Sequence, residues 1–239
     1  MRRRGCQVFV VLFICLAAMG AVLIFGPWPW LQGVILDPFA PTALSNAIPA
    51  SANRASFDRW LGAEPGRAAD YRAFDRYIAA HGYADLLPAW TMLRTNSSMS
   101  RWCRVEPFIL PPRRLWPNIL PALKLVREQA IPAVGRVAVA SAFRIPATNS
   151  CSRGASQSRH LTFSALDLIP LDQPDAPASF RKLCARWRLA GPRSGWGLGA
   201  YYDANRPRQN QVARFHVDGT GWRTWGFSYG RGSSGCNSL

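Results

Sequence analysis

Ser158-Arg159-His160-Leu161-Thr162-Phe163-Ser164-Ala165-Leu166-Asp167 sets a histidine seven residues ahead of an aspartate, and Phe215-His216-Val217-Asp218 brings a second histidine with its own carboxylate. The chain has three histidines in all, His81, His160 and His216, so two of the three lie in these stretches. On a strand, His216 and Asp218 point to the same face. Two imidazoles and a carboxylate, with a fourth position open to water, are the donor set of a catalytic zinc site. Such a metal polarises a scissile carbonyl and lowers the pKa of its bound water to about 7. Either segment alone is as consistent with an ordinary hydrogen-bonded pair, so the surrounding sequence decides.

Upstream, Arg136–Arg144 alternates Val137, Val139, Ser141 and Phe143 on one side and reads as a half-buried strand. Ala165–Ile169 reads as a second strand, stopped at Pro170. Gly197–Tyr202 and Val212–Asp218 read as two more. Helical spacing marks Ala68–His81, Trp116–Gln129 and Ser179–Ala190, with Gly82 and Gly191 at the ends of the first and last. Helices and short strands without a regular βαβ rhythm indicate an α+β class, a small antiparallel sheet with flanking helices.

The N-terminus points to export. Arg2, Arg3 and Arg4 precede Val8–Phe25, an uncharged run close to the ~20 residues of a membrane span. Trp28 and Trp30 follow where an interface belt falls, and the arginines orient the rest outward. The expected organisation is a cytoplasmic tail (1–7), a transmembrane anchor (8–26), a linker (27–56), a helical extension (57–110) and the chemistry-bearing domain (111–239). A signal peptide cleaved near Ala18-Met19-Gly20 is the competing reading. Cys103, Cys151, Cys184 and Cys236 remain in the exported part, enough for two disulfides in any of three pairings. No Cys-x-x-Cys spacing occurs, which argues against zinc–thiolate ligation.

The formal charge of +16, with 29 basic against 13 acidic residues, suits an anionic partner. The arginines are dispersed and no nucleic-acid motif is present, so wall polymer or membrane is expected rather than nucleic acid.

The order Val139-Ala140-Ser141-Ala142-Phe143-Arg144, Ser158-x-His160, Asp167, Gly197-Leu198-Gly199-Ala200-Tyr201-Tyr202, His216-x-Asp218 and Arg223-Thr224-Trp225 resembles the zinc D-alanyl-D-alanine carboxypeptidase family of peptidoglycan peptidases, which shares its fold with the hedgehog signalling domain. The resemblance spans about residues 135–226. It implies zinc held by His160, Asp167 and His216. It implies that Arg144, closing a Ser-x-Tyr-Arg-like motif with Phe143 in the aromatic place, holds a substrate carboxylate or stabilises an oxyanion, and that Ser158 contacts substrate. Asp218 is expected either to orient the metal site or to act as general base. Tyr201 or Tyr202 is expected to offer a phenol, with Tyr202 preferred.

Two departures stand out. Phe163 occupies a place where many members carry glycine, and Ala213 stands where Glu-x-x-His members carry their base. The expected function is a membrane-anchored zinc peptidase of the inner membrane, its domain on the periplasmic side. It would cleave peptidoglycan stem peptides as a D,D-carboxypeptidase or a cross-link endopeptidase. The alternative is a peptidoglycan-binding module of the same fold with weak or no turnover.

Overall fold

Strands β1 (Val137–Ser141), β2 (Ala165–Pro170), β3 (Gly197–Ala200), β4 (Phe215–Asp218) and β5 (Arg223–Trp225) form one sheet in the order β1-β2-β4-β3-β5. The computed structural model describes residue 48 and residues 50–95, 103–172, 175–205 and 212–239. The expected tail, anchor and most of the linker lie outside the described residues. Among the described residues no helix is long and apolar enough to cross a membrane.

The α+β class holds, but the sheet is mixed rather than purely antiparallel, because β5 pairs parallel to β3. After β4 the chain crosses the start of β3, where Gly221 N–H donates to Gly195 O (2.9 Å), and β5 emerges on the far side of β3. This strand, only three residues long, was not anticipated from the sequence.

β1 also departs from the expected alternation. Val137 faces Pro170 and Val139 faces Leu168, but a register irregularity then sets Ser141 opposite Asp167. A bulge of this kind re-aims a side chain. Val139 stays in the core, and Ser141 turns to the other face of the sheet.

Helices α1 (Arg54–Gly62) and α2 (Arg67–Ala80) precede the sheet. Asn53 caps α1 by accepting from Ser56 N–H, so the helix begins inside the expected linker. The expected helix at Trp116–Gln129 is instead composite. A 3₁₀ segment at Arg113–Ile119 contains Pro117 and leads into α3 (Leu120–Leu125), a π turn (Val126–Ala130) and α4 (Ile131–Val134). Pro132 lacks the N–H that would bond to Glu128 O. Arg186 satisfies that carbonyl from the last long helix (3.2 Å). Helix α5 (Pro146–Cys151) leads to the His160 turn, and α6 (Ala176–Ala190) is capped by Asp175 and ended by Gly191.

The described residues belong to a single compact unit, and the helices of the expected extension share its core. Phe74 of α2 packs on Trp116 and Phe163. Arg94 is buried and donates to Ala52 O (3.0 Å) and Val139 O (2.6 Å), beneath the face of Trp90. Burial lowers its guanidinium to about 10, still charged at neutral pH. Disulfides join Cys103 to Cys151 and Cys184 to Cys236.

Phe163 is 0% exposed, lies between Phe74 and Phe143, and has φ +55° in the left-handed region. For an L-residue that conformation costs about 1–2 kcal/mol, whereas burying a phenylalanine yields about 1.5–3 kcal/mol. The burial outweighs the strain. Phe163→Ala is expected to destabilise the fold by about 3 kcal/mol. Phe163→Gly should cost about 1 kcal/mol less, since glycine adopts this φ freely. Urea denaturation of both variants checks the order, which is the reverse of that in a helix.

Candidate metal centre and its pocket

The sheet register assembles the site. Ser141, Asp167, His216, Gly199 and Trp225 form one row across all five strands. Asp218, Gly197 and Arg223 form the next row on the same face. The glycines of β3 are needed here. A Cβ on Gly199 would come within 2.7 Å of the His216 Cβ, and one on Gly197 within 2.6 Å of the Asp218 carboxylate.

His160 arrives from the 3₁₀ turn Arg159–Thr162. Its Nδ1 bonds to Ala142 O, and its backbone carbonyl accepts from Arg144 N–H (3.1 Å). These contacts tie the turn to the end of β1. The inward atoms of the three expected ligands converge. His160 Nε2 lies 3.1 Å from His216 Nδ1 and 3.3 Å from Asp167 Oδ1, and His216 Nδ1 lies 3.2 Å from the same oxygen. All three side chains are buried.

Each ligand is held from behind. Asp167 Oδ2 accepts from Ser141 Oγ (2.9 Å) and Arg144 Nη2 (2.7 Å). His216 Nε2–H donates to Asp218 Oδ2 (3.1 Å). Asp218 in turn takes both arms of Arg223 (2.7 and 3.1 Å) and accepts from Thr220 N–H and Oγ1. With the outer nitrogens occupied as donors, the two imidazoles in their neutral form aim lone pairs at an ionised carboxylate. Three acceptors at such distances repel one another unless a cation or proton sits between them. The donor set, two nitrogens and one oxygen, suits zinc.

Electrostatics agree. Burial, then the Arg144 charge, lowers His160 to about 4, so its lone pair is free at neutral pH. Burial opposes charge on His216 too, but Asp167 and Asp218 on either side outweigh it and raise its pKa. Burial would raise Asp167, yet the two histidines and Arg144 hold it well below the usual carboxylate range. Asp218 is likewise depressed against its burial by His216, Thr220 and Arg223.

The three ligand atoms lie at the wall of a cavity of about 480 Å³. Arg144, Ser158 and Tyr201 border it, with Arg159, Arg214, Arg223, Arg231, Trp225, Phe227 and Tyr229. Asp218 does not border it. Of the two roles considered for that residue, the geometry supports orienting His216 and leaves no path to a substrate proton. Arg144 spends one guanidinium arm on Asp167 rather than standing free as a clamp. Tyr202 packs on Phe180 away from the cavity, and Tyr201 takes the place expected for it. The period of two explains the exchange, since 197, 199 and 201 share the face that carries His216. Ala213 is buried in the core, so a glutamate three residues before His216 would not reach the cavity.

Arg223 and Trp225, which complete the site through β5, and Ser141 behind Asp167 had no assigned role in the sequence reading. The Arg-Thr-Trp stretch after His216-x-Asp218 was the available signal.

The fold and site together bring two imidazoles and a carboxylate to one buried point, a group that could hold a metal ion. Residues 100–201 match the family model of Peptidase M15. This match, over less than half of the chain, supports the resemblance to the zinc D-alanyl-D-alanine carboxypeptidases. The match includes His160 and Asp167 and ends before His216, which joins them through the β2–β4 register. No curated protein and no solved structure matches the chain.

Metal and proton compete for His216 Nδ1. Zinc affinity is therefore expected to fall about tenfold per pH unit below the raised pKa of His216 and to level off above it. His160, lowered to about 4, contributes no proton in the neutral range. Zinc titration calorimetry between about pH 5 and 8 checks the slope. A flat profile would mean that His216 is already neutral throughout.

Proposed function

We propose that the protein is a zinc peptidase that hydrolyses amide bonds in peptidoglycan stem peptides. Its N-terminal apolar run would hold it on the extracytoplasmic side of the inner membrane. The observation that carries this reading is the convergence of His160, Asp167 and His216 on one point at the wall of an arginine-lined cavity.

Bound zinc would supply Lewis-acid activation of a water and of the scissile carbonyl. The chain's own residues supply the rest. Arg144 and Ser141 hold Asp167 ionised and oriented, and Asp218 keeps the His216 tautomer that leaves Nδ1 bare. Burial raises the pKa of Tyr201, and Asp167 adds to this, so its phenol stays protonated. It offers an O–H to an oxygen that gains charge at the cavity wall. Arg159, Arg214 and Arg231 carry no ion pair among the described residues and give the cavity a positive field for the carboxylates of stem peptides. Two disulfides fit an oxidising compartment.

One observation favours the second reading, a wall-binding module with weak turnover. Among the described residues Asp167 is the only carboxylate bordering the cavity, and it is already paired with Arg144. None of the described carboxylates stands free at the cavity to take a proton from water.

Incubating purified peptidoglycan with the zinc-loaded chain and analysing the products by mass spectrometry separates the readings. Release of D-alanine or of cross-link halves supports the peptidase. Intact peptides together with retention on sacculi support the module. Asp218→Ala is expected to weaken zinc binding about 10–100-fold and to regain most of its turnover at saturating zinc. Turnover still lost at saturation would make Asp218 part of the chemistry.

A further inference from the structure

Two loops border the same cavity and touch. One is the stretch after α5, from which Ser152, Gly154 and Ala155 line the cavity. The other follows β5 and supplies Phe227, Tyr229 and Arg231. The Tyr229 hydroxyl donates to Arg153 O across them (2.9 Å), 76 residues apart in sequence. Both partners lie in the left-handed region, Arg153 at φ +53° and Tyr229 at φ +60°. Each such residue costs about 1–2 kcal/mol, and strain of this kind persists where surroundings hold it in place. Here a disulfide anchors each loop. Cys151 stands two residues before Arg153, and Cys236 lies seven residues beyond Tyr229. Tyr229 is 49% exposed, so its ring is not held by core packing. The hydrogen bond between the loops is its distinguishing contact.

We propose that Tyr229 and Arg153 form a latch that closes one end of the cavity, so that the site selects the free carboxyl end of a stem peptide over an internal cross-link. The inference rests on the peptidase reading and deepens it. A peptide cleaved in its middle must leave the metal in both directions. A cavity latched at one end takes a chain end there. Arg231, two residues beyond Tyr229 and without an ion pair among the described residues, borders the same cavity and offers a cation for the terminal carboxylate. Tyr229 is thereby a specificity-determining residue, remote from the ligands themselves.

The test compares wild type, Tyr229→Phe and Tyr229→Gly as zinc-loaded full chains on two substrates. These are a soluble stem pentapeptide ending in D-alanyl-D-alanine and a cross-linked stem-peptide dimer. Wild type is expected to prefer the pentapeptide. Both variants should lower the ratio of terminal to cross-link cleavage by about tenfold, as befits one lost hydrogen bond. Glycine tolerates the φ of this position and phenylalanine keeps the ring, so both variants should fold. Amide hydrogen exchange over residues 152–158 should quicken in both. Equal wild-type cleavage of the two substrates, or variants that leave both the ratio and the exchange unchanged, overturns the latch while the peptidase reading stands. A wild type inactive on both substrates overturns the peptidase reading and the selectivity with it. The exchange rates then still decide whether the loops are latched.

Discussion

Two imidazole nitrogens and a carboxylate oxygen, 3.1–3.3 Å apart in a buried place, repel one another unless a cation or a proton lies between them. The rest of the structure is arranged to hold them there. Every outer atom of the three side chains is engaged by a group that would be costly to move. Ala142 O belongs to the end of β1, Arg144 and Ser141 grip the far oxygen of Asp167, and Asp218 is itself clamped by Arg223 and Thr220. Breaking a buried ion pair by removing one partner costs about 3–5 kcal/mol, more than most surface contacts contribute. The arginines around the centre therefore divide into two groups. Arg144 and Arg223 sustain its shape, and Arg159, Arg214 and Arg231 give the cavity its positive field.

The sheet gives this arrangement its accuracy. Adjacent strands bring one residue each to a common row, and a residue two places away serves the next row on the same face. Asp167 and His216 are opposed in register, so a slip by one residue would send His216 to the core and Val217 or Phe215 to the cavity. The apolar face prevents that slip, because Leu166, Leu168, Phe215 and Val217 are all fully buried. The bulge in β1 is the one place where alternation is broken, and it delivers Ser141 to the carboxylate that needs it.

Much of this was legible in the sequence where one period governs a segment. His216 and Asp218 share a face because a strand alternates, and the same rule, applied from Gly197, identifies Tyr201 rather than Tyr202. The α+β class followed from short alternating runs among helical ones. What escaped was set by neighbours distant in the chain. The bulge at Ser141 exists because Asp167 stands across from it. The parallel β5 depends on a four-residue crossing over β3, and three residues carry no readable period. The broken helix over residues 113–134 follows from Pro117, Pro121 and Pro132, which the apolar spacing masks. The role of Asp218 turned on Arg223 and Thr220, whose approach no spacing reveals.

Phe163 links the matched stretch to the helices before it. The turn that presents His160 is backed by an aromatic ring whose neighbours are Phe143 on one side and Phe74, from α2, on the other. Arg94 likewise spans from Ala52 to Val139. The stretch that matches Peptidase M15 begins at residue 100. A fragment trimmed to that stretch would lose the wall behind its first histidine, together with the strand that carries the second. The boundary of the matched stretch is thus not a boundary of folding: residues 100–201 share one core with the helical frame that precedes them and the strands that follow.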